Sequence, residues 1–388
     1  MPAVLPSLLN PLTPSEFRSR YYSKQPVHIS NAPDRFADLF DLQSLQRILN
    51  SSPVPHPTMK LVRDGQLLYA ADASEILEHC RAGATLVLED IDQYDERVGR
   101  FGASLACELG EPNKTNLYFS QPSQPGYNRH YDAHDVFILQ ISGYKGWRIF
   151  DATLTFPLFV QKHHARVPSD TARLECTLGP GDVLYIPRGH WHEATAQREP
   201  SLHLTLGINA RTGIDFLTWL VDELREDVRW RETFPLTFAD ELPADGALPQ
   251  KPMAHFRSLR NLLSEVLSDE EVLARYRTFC IAQDRPVRPF AGAVFQERAQ
   301  SFRDDDRFER PTSQRSVITR QEDLTQVVVW GQVITFGSAA DLVLRFIFSH
   351  DAFSMRELLD SAGSMSREEI DDVLHVLLDH GIVTHRPA

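Results

Sequence analysis

Two short segments, far apart in the chain, offer two imidazoles and a carboxylate. His130 and Asp132 stand two residues apart at the head of a strand-like run over residues 136–140, and His192 closes the segment 181–192. On a strand, side chains two residues apart point to the same face, so His130 and Asp132 can reach one ion. Two histidines and one carboxylate are the facial triad that holds Fe(II) in oxygenases and leaves coordination positions open.

The fold must return His192 to the side of the other two residues. Gly181 predicts a turn, residues 183–186 predict a buried strand, and Pro187 and Gly189 predict a bend before the histidine. A lone histidine–x–aspartate pair occurs often by chance. The same pair followed by this glycine, proline and histidine pattern is a more specific indication of a metal site.

Three alternatives stay open at this level. His134 and His190 are nearby competitors for the ligand positions, and spacing alone does not choose between His190 and His192. Histidines beside strands also serve as hydrogen-bonded structural residues. Finally, catalytic zinc is held by two histidines and a carboxylate as well.

The composition is that of a globular protein with more than one domain. The chain has 388 residues, of which 42% are hydrophobic and 24% charged, and a formal net charge of -13. That negative charge argues against broad attraction to nucleic acid. No apolar run reaches the length of a transmembrane helix, and the N-terminus lacks the pattern of a signal peptide. The scattered cysteines predict a reducing, cytoplasmic setting; they are Cys80, Cys107, Cys176 and Cys280.

A strand-rich region lies between residues 115 and 209. Short β-branched and aromatic runs alternate there with turns rich in Gly, Pro, Ser and Asp. Many short strands at this spacing predict an antiparallel barrel or a double-sheet jelly roll. The strand candidates are residues 116–119, 136–141, 147–150, 173–178, 182–186 and 202–208.

Helical spacing returns after this region. It covers residues 214–230 and 256–279, with a Pro-rich connector at residues 242–252 between them. The charge-dense stretch 298–310 predicts a solvated linker. In the tail, three helix candidates followed by a short strand at residues 381–384 predict a small winged-helix module.

Around the two histidines the sequence resembles the Jumonji C family of 2-oxoglutarate-dependent oxygenases, and within it the ribosomal-oxygenase type of cupin-like protein hydroxylase. The matching residues are Asn116 to Tyr118, Gly126 to Asp132, Asp135 to Gln140 and Gly143 to Arg148. The resemblance implies an α+β fold. A double-stranded β-helix (jelly-roll or cupin) core is joined by N-terminal α/β elements, a helical dimerisation region and a C-terminal winged helix. The implied bounds are 1–212 for the catalytic domain, 213–300 for dimerisation and 301–388 for the winged helix.

Position by position, the resemblance implies a set of site residues. His130, Asp132 and His192 would ligate Fe(II), with no catalytic residue beyond the metal centre. Lys145 would pair with the distal carboxylate of 2-oxoglutarate, since a bound dicarboxylate requires a cation there. Residues that would hold an oxoacid favour iron over zinc, and further polar contacts are expected from Asn116, Tyr118 and Thr205. Four residues are expected on the substrate side, namely Tyr127, Asn128, Arg129 and Trp191.

The implied activity is hydroxylation of a protein side chain, with a ribosomal protein as the suggested target. An acidic enzyme suits a basic target. Alternative substrates are another peptide, a natural-product precursor or a modified nucleoside, and a non-catalytic metal-binding cupin is the alternative outside enzymes. The resemblance also implies a homodimer, and neither a membrane nor nucleic acid is expected as a partner. An apolar helix face available for packing comprises Phe216, Leu217, Trp219, Leu220 and Leu224.

Overall fold

The computed structural model describes residues 3–51, 58–70, 72–122, 127–161, 166–236, 250–284, 301–310 and 315–388. The chain forms two compact units. The first comprises Met1–Ala210, Val287–Arg315 and Leu342–Ala388, and the second comprises Arg211–Pro286 and Ser316–Asp341. Among the described residues, none of the helices has the length and apolar character that crossing a bilayer requires.

The first unit begins with helices and short strands. Helix α2 begins at Pro14, because the Thr13 hydroxyl accepts a hydrogen bond from the Glu16 amide at 3.1 Å and Pro14 suits the first turn. The elements are α1 (Val4–Leu9), α2 (Pro14–Arg20), β1 (Val27–Ile29), α3 (Leu42–Ser51), β2 (Met59–Arg63), β3 (Gln66–Leu68), α4 (Ala73–Arg81), β4 (Thr85–Leu88) and α5 (Glu96–Leu109).

The strand-rich region supplies the rest of two antiparallel sheets. All six strand candidates are confirmed, and one further strand, β10, carries His192. The strands are β5 (Asn113–Ser120), β6 (Asp135–Ser142), β7 (Lys145–Ala152), β8 (Leu174–Leu178), β9 (Val183–Ile186), β10 (His190–Ala196) and β11 (Ser201–Ile208). The larger sheet has the order β1-β9-β6-β11-β5-β4-β2-β3, and the smaller has the order β10-β7-β8.

Side-chain alternation divides the larger sheet into two faces. One face contributes Leu117, Leu139 and Leu204 to a core that it forms with the N-terminal helices. The other face packs against the smaller sheet, where Ile138 of β6 and Ile149 of β7 share a second core. The inward faces of both sheets therefore line a common interior, and the candidate site residues lie on those faces.

The C-terminal part of the first unit contains the three helices and terminal strand expected from the sequence. The prediction of a solvated linker at residues 298–310 was wrong for its described part, because Phe302 and Phe308 are buried. Phe308 lies on a strand and stacks against Phe353 at 5.4 Å and His385 at 5.2 Å. The elements are β12 (Arg307–Glu309), α10 (Asp341–Ser349), β16 (Ala352–Ser354), α11 (Met355–Ser361), α12 (Arg367–Asp379) and β17 (Thr384–Arg386), with sheet order β16-β12-β17.

In its described part, the second unit combines four helices with a small antiparallel sheet. Each of the two predicted helical stretches is divided in two, giving α6 (Gly213–Leu224), α7 (Val228–Arg231), α8 (Gln250–Ser268) and α9 (Glu270–Ala282). Residues 242–249 of the predicted connector lie outside the described residues. The sheet was not predicted and comprises β13 (Ser316–Gln321), β14 (Leu324–Val329) and β15 (Gln332–Gly337). Trp219, Leu220 and Val272 form the buried centre of the helical part.

Candidate metal centre

The side chains of His130, Asp132 and His192 converge at the end of the space between the two sheets. One ligand atom from each lies within 4.8 Å of the others. The His192 Nε2 is 3.6 Å from Asp132 Oδ2, and the two imidazole centroids are 4.4 Å apart. Because the 3.6 Å separation exceeds a hydrogen bond, the three side chains point at a shared position rather than at one another.

A single antiparallel bridge brings the two histidines together. The backbone amide of His130 donates to the His192 carbonyl at 3.1 Å, and the amide of His192 donates to the His130 carbonyl at 2.7 Å. The bend before His192 needs Gly189, whose φ is +85° and where a Cβ would come within 2.7 Å of the Leu154 carbonyl oxygen. The Gly189 amide also donates to the Asp132 carbonyl at 2.9 Å, so the bend joins both ligand-bearing segments.

Hydrogen bonds to the ring nitrogens orient both imidazoles for coordination. Nδ1 of His130 lies 2.8 Å from the Asn128 carbonyl oxygen, and Nδ1 of His192 lies 3.1 Å from the His190 carbonyl oxygen. A carbonyl oxygen accepts a hydrogen bond, so Nδ1 carries the proton in each ring, and Nε2 is left with the lone pair that can bind a metal. Burial, followed by the charge of His130, lowers the pKa of His192 to about 4, so this imidazole is neutral at physiological pH.

Neither competing histidine joins the cluster. A register shift separates His190 from His192, and His190 pairs with Ala152. His134 lies against Gly207, where an added Cβ would approach its ring to 2.5 Å. Among the described residues, the group that could hold a metal therefore consists of His130, Asp132 and His192.

The residues expected around the co-substrate share the inward face of the larger sheet. In the ladder between β11 and β5, Thr205 is opposite Asn116 and His203 is opposite Tyr118. Directly opposed residues lie on the same face, so these side chains point into the interior. The Asn116 side-chain carbonyl accepts a hydrogen bond from the Asp90 amide at 3.1 Å, which fixes its orientation.

Lys145 enters the same interior from the smaller sheet. Its ammonium donates to the Ser120 hydroxyl at 3.0 Å and lies 5.9 Å from the centroid of Trp147. Only 5% of the residue is exposed, and burial lowers the Lys145 pKa to about 7. A buried ammonium with one hydroxyl as its hydrogen-bond partner in the described part of the chain is well placed to accept a carboxylate.

His203 is a polar residue of this interior that the sequence did not identify. It stacks on Tyr118, with ring centroids 4.9 Å apart and planes 2° apart, and it is 2% exposed. Burial, followed by the charge of Lys145, lowers its pKa well below the usual value. Its Nδ1 has no hydrogen-bond partner in the described structure. The sequence does contain an indication of this position, because His203 lies two residues before Thr205 and so shares its strand face.

These features test whether the interior suits a metal with an oxoacid. The donor set matches that of a facial triad, and the deeper end holds a buried ammonium and an unpartnered imidazole nitrogen. A bound carboxylate would give the Lys145 ammonium a charged acceptor in addition to the Ser120 hydroxyl. The residues present therefore fit Fe(II) together with a dicarboxylate.

The four residues expected on the substrate side have different surroundings in the structure. The Tyr127 ring lies 5.6 Å from the His130 ring and 6.3 Å from the Tyr118 ring, so it borders the centre. Asn128 is exposed. Arg129 forms ion pairs with Glu193 and Asp170. The buried Trp191 packs on Tyr131 and donates from its indole to the Thr153 hydroxyl at 2.8 Å.

Comparison with known proteins agrees with this geometry. Residues 89–216 match the family model described as the JmjC domain. The chain is 27% identical over 252 residues to ribosomal oxygenase 1 of Gallus gallus, covering 59% of this chain and 41% of that protein. It is 30% identical over 218 residues to ribosomal oxygenase 2 of Rattus norvegicus, covering 51% of this chain and 46% of that protein. The chain thus spans less than half the length of these two relatives.

A solved structure extends the likeness to nearly the whole chain. YcfD, a ribosomal oxygenase from Escherichia coli whose structure contains cobalt and 2-oxoglutarate, has 20% identity and a TM-score of 0.60. The alignment covers 97% of this chain and 98% of that chain, so the two share a fold. The family resemblance predicted from the motifs is confirmed, because residues 89–216 match the JmjC domain and the chain is similar to the ribosomal oxygenases.

Proposed function

We propose that this protein is a 2-oxoglutarate- and Fe(II)-dependent oxygenase that hydroxylates a protein side chain. The observation that carries the proposal is the convergence of His130, Asp132 and His192 beside a buried Lys145 in one interior. Such an interior offers three metal ligands on one side and a cation for a carboxylate on the other. That combination serves an oxoacid-dependent metal centre better than a structural site.

Each proposed residue has a defined task. His130, Asp132 and His192 hold Fe(II) from one side, and Lys145 pairs with the distal carboxylate of 2-oxoglutarate. Bound together, Fe(II) and 2-oxoglutarate supply the oxidising chemistry, in which O₂, 2-oxoglutarate and a substrate C–H yield succinate, CO₂ and a C–OH. The apolar residues Trp147 and Ile149 exclude water from the interior. Further polar contacts to the co-substrate come from Asn116, Tyr118 and Thr205.

A ribosomal protein is the proposed substrate class. The relatives and the solved structure are named ribosomal oxygenases, which supports this choice. The net charge of -13 also favours association with a basic protein, such as those that contact ribosomal RNA. Substrate contacts are proposed for Tyr127, which borders the metal centre, and for the exposed Asn128.

The remaining architecture is proposed from the same resemblance. Residues 1–212 would form the catalytic domain, 213–300 a dimerisation region and 301–388 a winged-helix module. Three helices and a final strand in the last module support that assignment. Exposed apolar residues on α6, including Leu217 and Val221, support a homodimer. The four free cysteines support a reducing, cytoplasmic location.

Oxygen incorporation into ribosomal proteins tests the proposal. Purified chain would be incubated with Fe(II), ascorbate, 2-oxoglutarate and ribosomal protein fragments, followed by mass spectrometry and succinate measurement. A gain of one oxygen on one fragment, with matching succinate, is the expected result. Failure of the chain to bind 2-oxoglutarate or turn it over with any fragment would instead favour the metal-binding scaffold.

A further inference from the structure

A network of ion pairs lies beside the histidine bridge, on the strand faces opposite to the imidazoles. Arg129 directly precedes His130, and Glu193 directly follows His192, so the two flank the bridge on one side. Arg129 donates from Nε to Glu193 Oε2 at 3.0 Å and from Nη2 to Glu193 Oε1 at 3.2 Å. This bidentate geometry defines both the distance and the orientation between the two segments.

The bridge itself contributes few bonds. In the described part of the chain, His130 and His192 form one isolated residue pair rather than a continuous ladder. Its two backbone hydrogen bonds measure 3.1 and 2.7 Å. Besides this pair and the hydrogen bond from the Gly189 amide to the Asp132 carbonyl, the side chains that flank the bridge can set the separation of the imidazoles.

Neighbouring groups hold the Arg129–Glu193 pair in place. Arg148 donates to Glu193 Oε1 at 2.8 Å, and Asp170 accepts from Arg129 at 2.8 Å. The Arg129 guanidinium also lies 3.9 Å from the centroid of the Phe150 ring. The Arg129 side chain is 17% exposed and that of Glu193 is 29% exposed, so water screens this pair less than a fully exposed one.

We propose that Arg129 and Glu193 are positioning residues that hold His130 and His192 at the separation required for metal binding. The pair acts through the backbone bridge and touches neither metal nor substrate. The inference depends on the proposed function, because it assumes that the histidine–aspartate cluster binds a divalent metal. It assigns Arg129 to metal positioning rather than to the substrate side.

Titration of the full-length chain with Co(II), followed by visible absorption and calorimetry, tests this proposal. Mutation of residues that orient metal ligands typically lowers metal affinity 10- to 100-fold. Arg129→Gln and Glu193→Gln should each weaken Co(II) binding about 10-fold and alter the Co(II) absorption spectrum. The double variant should be no weaker than the weaker single variant, because both substitutions break the same pair.

Arg173→Gln is the matched control. Arg173 pairs with Asp151 at 2.7 Å beside the same sheet but flanks no ligand, so Co(II) affinity should stay at the wild-type value. Arg129→Lys keeps the charge without the bidentate geometry, and its Co(II) affinity should lie between those of the wild-type chain and Arg129→Gln. A cooperative thermal unfolding transition shows that each variant is folded. If Arg129→Gln does not fold, Arg129→Lys takes its place in the test.

The outcomes separate the two proposals. Single variants that bind Co(II) as tightly as Arg173→Gln, or losses that add in the double variant, would overturn the positioning role alone. Absence of Co(II) binding by the wild-type chain would overturn the metal centre and the positioning role together.

Discussion

Two histidine–aspartate pairs lie in the same pair of sheets and have different surroundings. His28 Nε2 and Asp182 Oδ2 are 3.1 Å apart, a hydrogen-bonding distance. Asp182 also accepts from the amides of Asn31 at 3.1 Å and Gly179 at 3.0 Å. In the second pair, His192 Nε2 is 3.6 Å from the Asp132 carboxylate.

The difference shows how a structural pair is distinguished from a proposed ligand pair. At Asp182 both carboxylate oxygens accept hydrogen bonds from protein groups, so the carboxylate joins a turn to a strand. At the metal centre, backbone carbonyls lie beside the Nδ1 atoms of His130 and His192, and both rings converge with Asp132. The paired residue types are the same in both regions, and the direction of the donor atoms distinguishes the two pairs.

Removing one histidine from each region should give the largest difference in Co(II) affinity. His192→Ala removes one of three proposed ligands, so Co(II) affinity should fall more than about 100-fold, beyond the usual effect of an outer-shell partner. His28→Ala should leave Co(II) affinity unchanged. Calorimetric titration of both variants measures the contrast, and equal affinities in the two variants would contradict the assignment of His192.

The second prediction concerns the carboxylate partner inside the site. Lys145→Met removes a charge-assisted hydrogen bond worth about 2 to 3 kcal/mol, so 2-oxoglutarate should bind roughly 30- to 140-fold more weakly. Calorimetry with Co(II) in place of Fe(II) measures the affinity. Lys60→Met is the control, because Lys60 pairs with Glu89 on a half-exposed surface. The role of Lys145 would be refuted by a variant that binds 2-oxoglutarate as tightly as Lys60→Met.

The third prediction concerns stability in the structural region. Asp182→Ala leaves two backbone amides and His28 without their acceptor, so unfolding in urea should become easier by about 2 kcal/mol. Co(II) affinity should not change in the folded variant. Asp151→Ala removes a more exposed carboxylate and should alter stability far less. A normal urea midpoint for Asp182→Ala would show that its hydrogen bonds contribute little.

Much of the candidate site and the sheets around it could be predicted from local patterns. The spacing of His130 and Asp132, the bend before His192 and six strands followed from residue type and periodicity. The sequence could not supply strand register, which decides that His203 faces Tyr118 and that Glu193 meets Arg129. These partners are separated by long stretches of chain, so no local pattern indicates them.

Two errors outside the site have local causes. Charged residues surround Phe302 and Phe308, so the stretch 298–310 resembles a linker although both rings are buried. The sheet over residues 316–337 was not predicted, although residues 324–329 contain three consecutive valines that favour a strand. Both cases show that a few apolar residues in a polar stretch are enough to fold it against neighbouring elements.

The last prediction uses pH to compare the two regions at their titratable groups. Burial lowers the Lys145 pKa to about 7, from an ordinary value of 10.5, so much of this lysine is neutral above pH 7. A bound carboxylate favours the charged form and raises that pKa, so binding above pH 7 takes up a proton. The affinity for 2-oxoglutarate should therefore fall about tenfold per pH unit above pH 7. His203 does not offset this, because its lowered pKa keeps it neutral over this range.

Calorimetry in two buffers of different ionisation enthalpy counts the protons taken up on binding. The wild-type chain and His28→Ala should show the same uptake, since the Asp182 region takes no part in binding. Lys145→Met should show none, because methionine does not titrate. If wild-type affinity were flat between pH 7 and pH 9, Lys145 would already be charged before 2-oxoglutarate binds. The interior would then stabilise its ammonium through protein groups, as the Asp182 region does for its carboxylate, and the two regions would differ only in the direction of their histidine and aspartate side chains.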